Sequence, residues 1–135
     1  MVRRIAALTS AAAFVGAGVA SAAQLASYSG STGQGQTLSL SVRHNLIVSV
    51  KFIARYRGAC SGSNFSSSFK RKIKIDKHGK FGATVHPNAG SVVKISGRFK
   101  GKVVTGSLTS SFVEGGIHGQ HTCSSGKVAF RARLK

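Results

Sequence analysis

The sequence predicts an all-β protein, with about eight antiparallel strands in a small meander barrel or a two-layer sandwich. Three observations carry this. Apolar and polar residues alternate with period two through most of the chain, the spacing that sends successive side chains to opposite faces of a strand. The alternating runs are separated by short stretches of Gly, Asn, Asp and Pro, which join antiparallel neighbours. Beyond the N-terminal segment no stretch has a helical period, and 17 Gly in 135 residues suits tight turns better than a helical bundle.

Taken in order, Arg3 and Arg4 precede an apolar run from Ile5 to Ala20, and Ala20-Ser21-Ala22 supplies small residues for a peptidase. These are the parts of an export signal, and the run is shorter than the ~18 residues that span a bilayer. Residues 1–22 are expected to be cleaved, leaving a single domain over 23–135 with no transmembrane segment. A short first strand is expected near Tyr28. Leu38, Leu40 and Val42 then alternate with Thr37, Ser39, Ser41 and Arg43. After a His44-Asn45 turn, Leu46, Val48, Val50, Phe52, Ala54 and Tyr56 are expected to point inward, with Ser49, Lys51, Arg55 and Arg57 outward. Gly58 to Ser68 reads as a loop. Phe69, Ile73 and Ile75 alternate with Lys70, Lys72 and Lys74 before an Asp76-Lys77-His78-Gly79 turn. Phe81, Ala83 and Val85 mark the next strand, closed by Pro87-Asn88-Ala89-Gly90. Val93, Ile95, Gly97 and Phe99 face inward against Lys94, Ser96, Arg98 and Lys100, and Gly101-Lys102 turns the chain into Val104, Gly106, Leu108 and Phe112. The last strand sets Val128, Phe130, Ala132 and Leu134 against Lys127, Arg131 and Arg133.

Cys60 and Cys123 are the two cysteines of an exported chain, and a disulfide between them is expected. Closing that loop stabilises the fold by roughly 4 kcal/mol in the chain-entropy model. Two free thiolates acting as metal ligands are the rival reading.

Several segments resemble a family of small secreted bacterial all-β proteins to which no activity is attached. They are Tyr28-Ser29-Gly30-Ser31-Thr32-Gly33-Gln34-Gly35, Gly79-Lys80-Phe81, Ile95-Ser96-Gly97-Arg98-Phe99, Thr105-Gly106-Ser107-Leu108, and the closing run from Cys123 through Gly126-Lys127-Val128 to Arg133. Phe130 stands where such proteins often carry Trp. The resemblance implies export and a β fold, and it brings no catalytic residue with it.

Charge narrows the function. Lys and Arg number 20 against 2 Asp and Glu, a formal net charge of +18. Cleavage at residue 22 removes Arg3 and Arg4 alone among the charged side chains, so the charge falls from +18 to +16. Two acids exclude most carboxylate-based metal and acid–base chemistry. The outward register collects Lys51, Arg55, Arg57, Lys70, Lys72, Lys74, Lys94, Arg98, Lys100, Lys127, Arg131 and Arg133. Solubility asks for a net charge of only about 2 to 8 with signs interspersed. An excess this large attracts polyanions with little sequence discrimination. The aromatics Phe52, Phe81, Phe99 and Phe130 fall in the inward register. That favours contact with a polymer backbone over stacking on bases.

A second cluster lies in Glu114-Gly115-Gly116-Ile117-His118-Gly119-Gln120-His121-Thr122-Cys123, read as a loop. His118, His121 and Glu114 near cations are the ingredients of a small ribonuclease, and equally could ligate zinc or copper. Surface histidines without a role are the simpler reading, so no metal or cofactor is expected. The expectation is a secreted or envelope-associated, non-enzymatic cationic domain that associates with anionic polymers: wall polymer, nucleic acid without sequence preference, or acidic glycan. The alternatives are a cationic hydrolase using the histidine cluster, and a secreted inhibitor or protein-interaction domain.

Overall fold

A computed structural model of the chain describes residues 24–57, 60, 64–116 and 119–135. The expected export signal, residues 58–59 and 61–63, and His118 lie outside them. The described residues form one antiparallel sheet of ten strands: β1 (Ala26–Thr32), β2 (Thr37–Arg43), β3 (Leu46–Arg55), β4 (Asn64–Phe69), β5 (Ile73–Lys74), β6 (Lys80–Val85), β7 (Ser91–Lys100), β8 (Val103–Gly116), β9 (Gly119–Ser124) and β10 (Val128–Leu134). Hydrogen bonding runs β4-β3-β2-β1-β10-β8-β7-β6, with β5 added to β3 and β9 to β8. The first and last described strands, β1 and β10, therefore pair in the middle of the sheet, Tyr28 opposite Leu134 and Thr32 opposite Phe130. The sheet curls into a half-barrel that brings β5 alongside β6. No helix among the described residues is long and apolar enough to cross a membrane.

The alternation works as the period-two pattern requires. Leu38, Leu40, Val42, Val50, Phe52, Ile95, Phe99, Val104, Leu108 and Phe130 are buried on the concave face. Tyr28 and Phe81 meet Phe99 there, with ring centroids 5.1 and 5.5 Å away, and burial pushes the Tyr28 phenol above its ordinary range. Gly97 and Gly106 face each other across β7 and β8. A Cβ on Gly97 would stand 2.9 Å from Phe81 Cζ, and one on Gly106 2.8 Å from Phe130 Cζ. The two glycines therefore leave room for the rim of each ring, and a Cβ at either would also collide with a neighbouring backbone carbonyl, that of Thr105 for Gly97 and of Ser96 for Gly106. The β2–β3 turn holds His44 and Asn45 at φ 56° and 61°, the pair of positive values that matches a two-residue hairpin turn to strand twist.

Four elements differ from the sequence reading. In β3 the buried residue is Ile47, not Leu46 or Val48. Ser41 pairs with Ser49 but Val42 with Ile47, so Val48 is the extra residue of a bulge that shifts the register by one. The stretch read as a loop up to Ser68 contains β4, paired along its length with β3. The Lys70–Ile75 run is not one strand: β4 ends at Phe69, and β5 comprises Ile73 and Lys74. The histidine segment is not a loop either. Its described residues belong to the β8–β9 arm, in which Phe112 pairs with Cys123 and Glu114 with His121.

One end of the half-barrel is clamped. Tyr56, just past β3, shares a buried 2.7 Å hydrogen bond with Ser110 of β8 and sets its ring edge-on to Phe112. The Arg57 amide donates to the Ser124 carbonyl at 3.0 Å. Cys60 and Cys123 are joined by a disulfide with Cα atoms 5.6 Å apart, as expected.

Candidate functional site

The outer face of β6, β7, β8 and β10 gathers cations into two lines, because strand register sets which outward residues become neighbours. In the first, Lys80 lies opposite Arg98, Arg98 opposite Thr105, and Thr105 opposite Arg131. Lys100, Val103 and Arg133 follow in parallel one step outward. In the second, Lys94 lies between Thr84 and Thr109, and Lys127 adjoins Val128, whose partner is Leu108. Between the lines run Gly82, Ser96, Ser107 and Ala129, each opposite the next. Small side chains thus form a floor between cationic walls. Lys94 and Arg98 are four residues apart on one strand, which places the walls roughly 13 Å apart.

The trough opens along one wall as a groove of about 520 Å³ lined by Gly82, Thr84, Lys94, Ser96, Ser107, Thr109 and Lys127. A second groove of about 320 Å³ lies at the seam between β5 and β6, lined by Arg71, Lys72 and Lys74 against Gly82 and Thr84. The two share Gly82, Ala83 and Thr84, so the cationic surface is continuous from Lys127 to Lys72.

No carboxylate forms an ion pair with these cations among the described residues. Among the described residues the ion pair is His121 Nε2 with Glu114 Oε1 at 3.2 Å, and no Lys or Arg has a carboxylate partner. Lys80 facing Arg98 across adjacent strands is itself an unfavourable like-charge pair. Asp76, the other acid, belongs to a turn, where its Oδ1 accepts the amides of His78 at 2.8 Å and Lys80 at 2.9 Å. The Lys80 amide holds its carboxyl below the usual carboxylate range; desolvation opposes this, and the His78 amide and the charges of His78 and Lys80 add smaller lowering contributions.

Of the cations singled out in the sequence, Lys72, Lys74, Lys94, Arg98, Lys100, Lys127, Arg131 and Arg133 meet on this surface, and Lys70 precedes it on the exposed segment before β5. Lys51 does not join them. It lines a separate groove of about 580 Å³ with Ser29, Thr37, Ser39, Ser66 and Ser68. Arg55 is held elsewhere, its backbone paired with the Gln34 side chain and its Nε 3.2 Å from Asn64 Oδ1. Arg57 sits at the clamp. The sequence reading missed Lys80 and Arg71 as members of the surface, and the uncharged floor. Lys80 follows the Asp76–Gly79 turn directly, and its outward register follows from Phe81 being inward.

The histidine cluster is a different place. Glu114 and His121 are exposed on the β8–β9 arm, and Glu114 Oε1 lies 3.7 Å from Cys60 Sγ and 3.6 Å from Cys123 Sγ. The chain matches no family model, no curated protein and no solved structure. The resemblance drawn from turn glycines and strand alternation therefore remains one of pattern. Chemically, the arm offers one described imidazole oriented by one carboxylate. General acid–base cleavage of RNA needs a second proton-transfer group at the same phosphate, and His118 lies outside the described residues.

Proposed function

We propose that this protein is an exported, non-enzymatic β domain that holds anionic polymers at or beyond the cell envelope along its cationic trough. Residues 1–22 serve as the cleaved export signal, and the disulfide suits an oxidising compartment. The observation that carries the reading is the convergence of Lys72, Lys74, Lys94, Lys127, Arg98 and Arg131 around a floor of small residues, with no acid paired to any of them among the described residues. A solvated surface of no function would not need its cations aligned, and the Lys80–Arg98 apposition destabilises the sheet. A floor of small residues between two cationic lines suits an extended phosphate or carboxylate backbone contacted from both sides. The inward register of the phenylalanines supports recognition of backbone rather than base.

Retention on teichoic-acid-type polymer, nucleic acid and acidic glycan across a salt series tests it. Binding strong at about 50 mM salt and falling steeply with ionic strength is expected. Lys94→Glu with Lys127→Glu should weaken it far more than Lys51→Glu with Arg55→Glu, an equal charge change away from the trough. Indifference to all three polymers at low salt overturns the reading. Equal losses in the two double variants would reduce the trough to bulk charge.

A further inference from the structure

Glu114 is the unexplained acid of the chain. Asp76 is accounted for by its turn, but the Glu114 carboxylate, in a protein with 20 Lys and Arg, has none of them within salt-bridge reach among the described residues. It faces His121 and two sulfur atoms instead. We infer that Cys60, Glu114, His121 and Cys123 form a redox-gated site for a single zinc ion, closed in the disulfide form and opened by reduction.

The geometry points there in three ways. One donor atom from each residue, Sγ, Oε1, Nε2 and Sγ, lies within 4.8 Å of all the others. Tetrahedral zinc, with bonds of about 2.3 Å to sulfur and about 2.0 Å to nitrogen or oxygen, sets its ligands roughly 3.3 to 3.8 Å apart. The observed 3.2 Å from Nε2 to Oε1, and 3.6 and 3.7 Å from Oε1 to the sulfurs, already fall at those edges. Of the three remaining edges, the two from the imidazole to the sulfurs lie within 4.8 Å, and the third is the one the disulfide holds short; swinging the two sulfurs about their Cα–Cβ bonds opens it. The donors are also placed for the task. Cys60 and Cys123 are buried while Glu114 and His121 are exposed, so the ion would enter from solvent. Strand pairing fixes Glu114 and His121 opposite each other, which a loop would not do.

The chemistry balances with a dithiol as reductant. It transfers two electrons and two protons to the Cys60–Cys123 bond, leaving two thiols and its own disulfide. Zn²⁺ then displaces both thiol protons to solvent as two Zn–S bonds form, with His121 neutral and Glu114 ionised. Two thiolates and a carboxylate against a dication leave one negative charge, which the net positive charge of the chain favours. In the oxidised protein only the carboxylate and imidazole remain as good donors, too few to retain the ion.

Cobalt(II) serves as the spectroscopic probe. The purified protein is reduced anaerobically with a water-soluble phosphine, which does not compete for metal, and titrated with Co²⁺ while far-UV circular dichroism follows the fold. One equivalent should bind with thiolate-to-cobalt charge-transfer bands and tetrahedral d–d bands, and zinc should displace it; the oxidised protein should show neither band. Glu114→Gln and His121→Ala, both exposed and checkable for folding in the oxidised form, should each weaken binding more than about tenfold, the loss that even an outer-sphere partner can cause. No uptake by the reduced protein overturns the site. So does affinity unchanged in both variants, or a β-sheet that is lost on reduction and not regained with metal.

Discussion

At the scale of single residues, space and hydrogen bonding decide more than hydrophobicity. Gly106 sits under the Phe130 ring and beside the backbone of β7. Gly106→Ala is therefore an overpacking change, expected to lower unfolding free energy by about 1–3 kcal/mol, read by denaturant titration. Gly35→Ala, at a positive φ of 75° with open space around it, separates the two kinds of glycine by adding backbone strain without collision. Asp76 makes a pH prediction. Its carboxyl is held low in the folded protein, so its contribution to stability is present above the ordinary Asp range and is lost as pH falls through the lowered value. Asp76→Asn keeps an acceptor for the His78 and Lys80 amides but does not titrate. Its melting temperature should start below wild type at neutral pH, and the gap should close in acid. A gap that widens in acid would contradict the turn assignment. The turns were legible in the sequence because turn chemistry is local: His44-Asn45 and Asp76 to Gly79 were both read as turns, and the structure turns at both.

At the scale of elements, legibility depended on contrast. Where apolar and polar residues alternate cleanly, as in β2, β7 and β10, the inward face was read correctly. Leu46, Ile47 and Val48 are apolar in succession, so period two fits either register, and only pairing with β2 selects Ile47. Serines conceal β4 and Gly, Gln and His conceal β9, since these residues have little intrinsic preference for strand and each segment is held by its neighbour's hydrogen bonds. What fastens these segments is the clamp at the end of β3. Tyr56→Phe removes one buried hydrogen bond to Ser110 and should cost about 1 kcal/mol. Cys60→Ser with Cys123→Ser releases a loop spanning a separation of 63 residues and should cost roughly 4 kcal/mol. Thermal unfolding of the two proteins, side by side, measures both. A disulfide variant as stable as wild type would mean that Tyr56, Arg57 and the strand pairing hold the curl by themselves.

At the scale of the whole molecule, one charge distribution makes two opposite demands. The outward register of most cations could be read from sequence, but their convergence could not. It needs β10 beside β8, β8 beside β7, and β5 brought to β6 by the curl, all relations between distant parts of the chain. Once assembled, the cations repel one another with no Lys or Arg ion pair to offset them among the described residues. Added salt screens this repulsion within a Debye length of about 8–10 Å near physiological strength, comparable to the spacing between the lines. Since no Lys or Arg ion pair among the described residues would be weakened in exchange, melting temperature should rise as sodium chloride is added. Polymer affinity should fall over the same range, with log K declining by roughly 0.7–0.9 per log unit of salt for each phosphate contacted. A bound polyanion replaces the missing acids, so at low salt it should raise the melting temperature by linkage to the folded state. That rise should vanish at the salt concentration where binding is lost. Lys94→Glu with Lys127→Glu breaks the symmetry between the two demands: it should stabilise the free protein at low salt by relieving repulsion, while cutting the stabilisation that polymer provides. If the variant is destabilised when free, the trough is held together by something other than the charges that line it, and its alignment would have to be explained by packing.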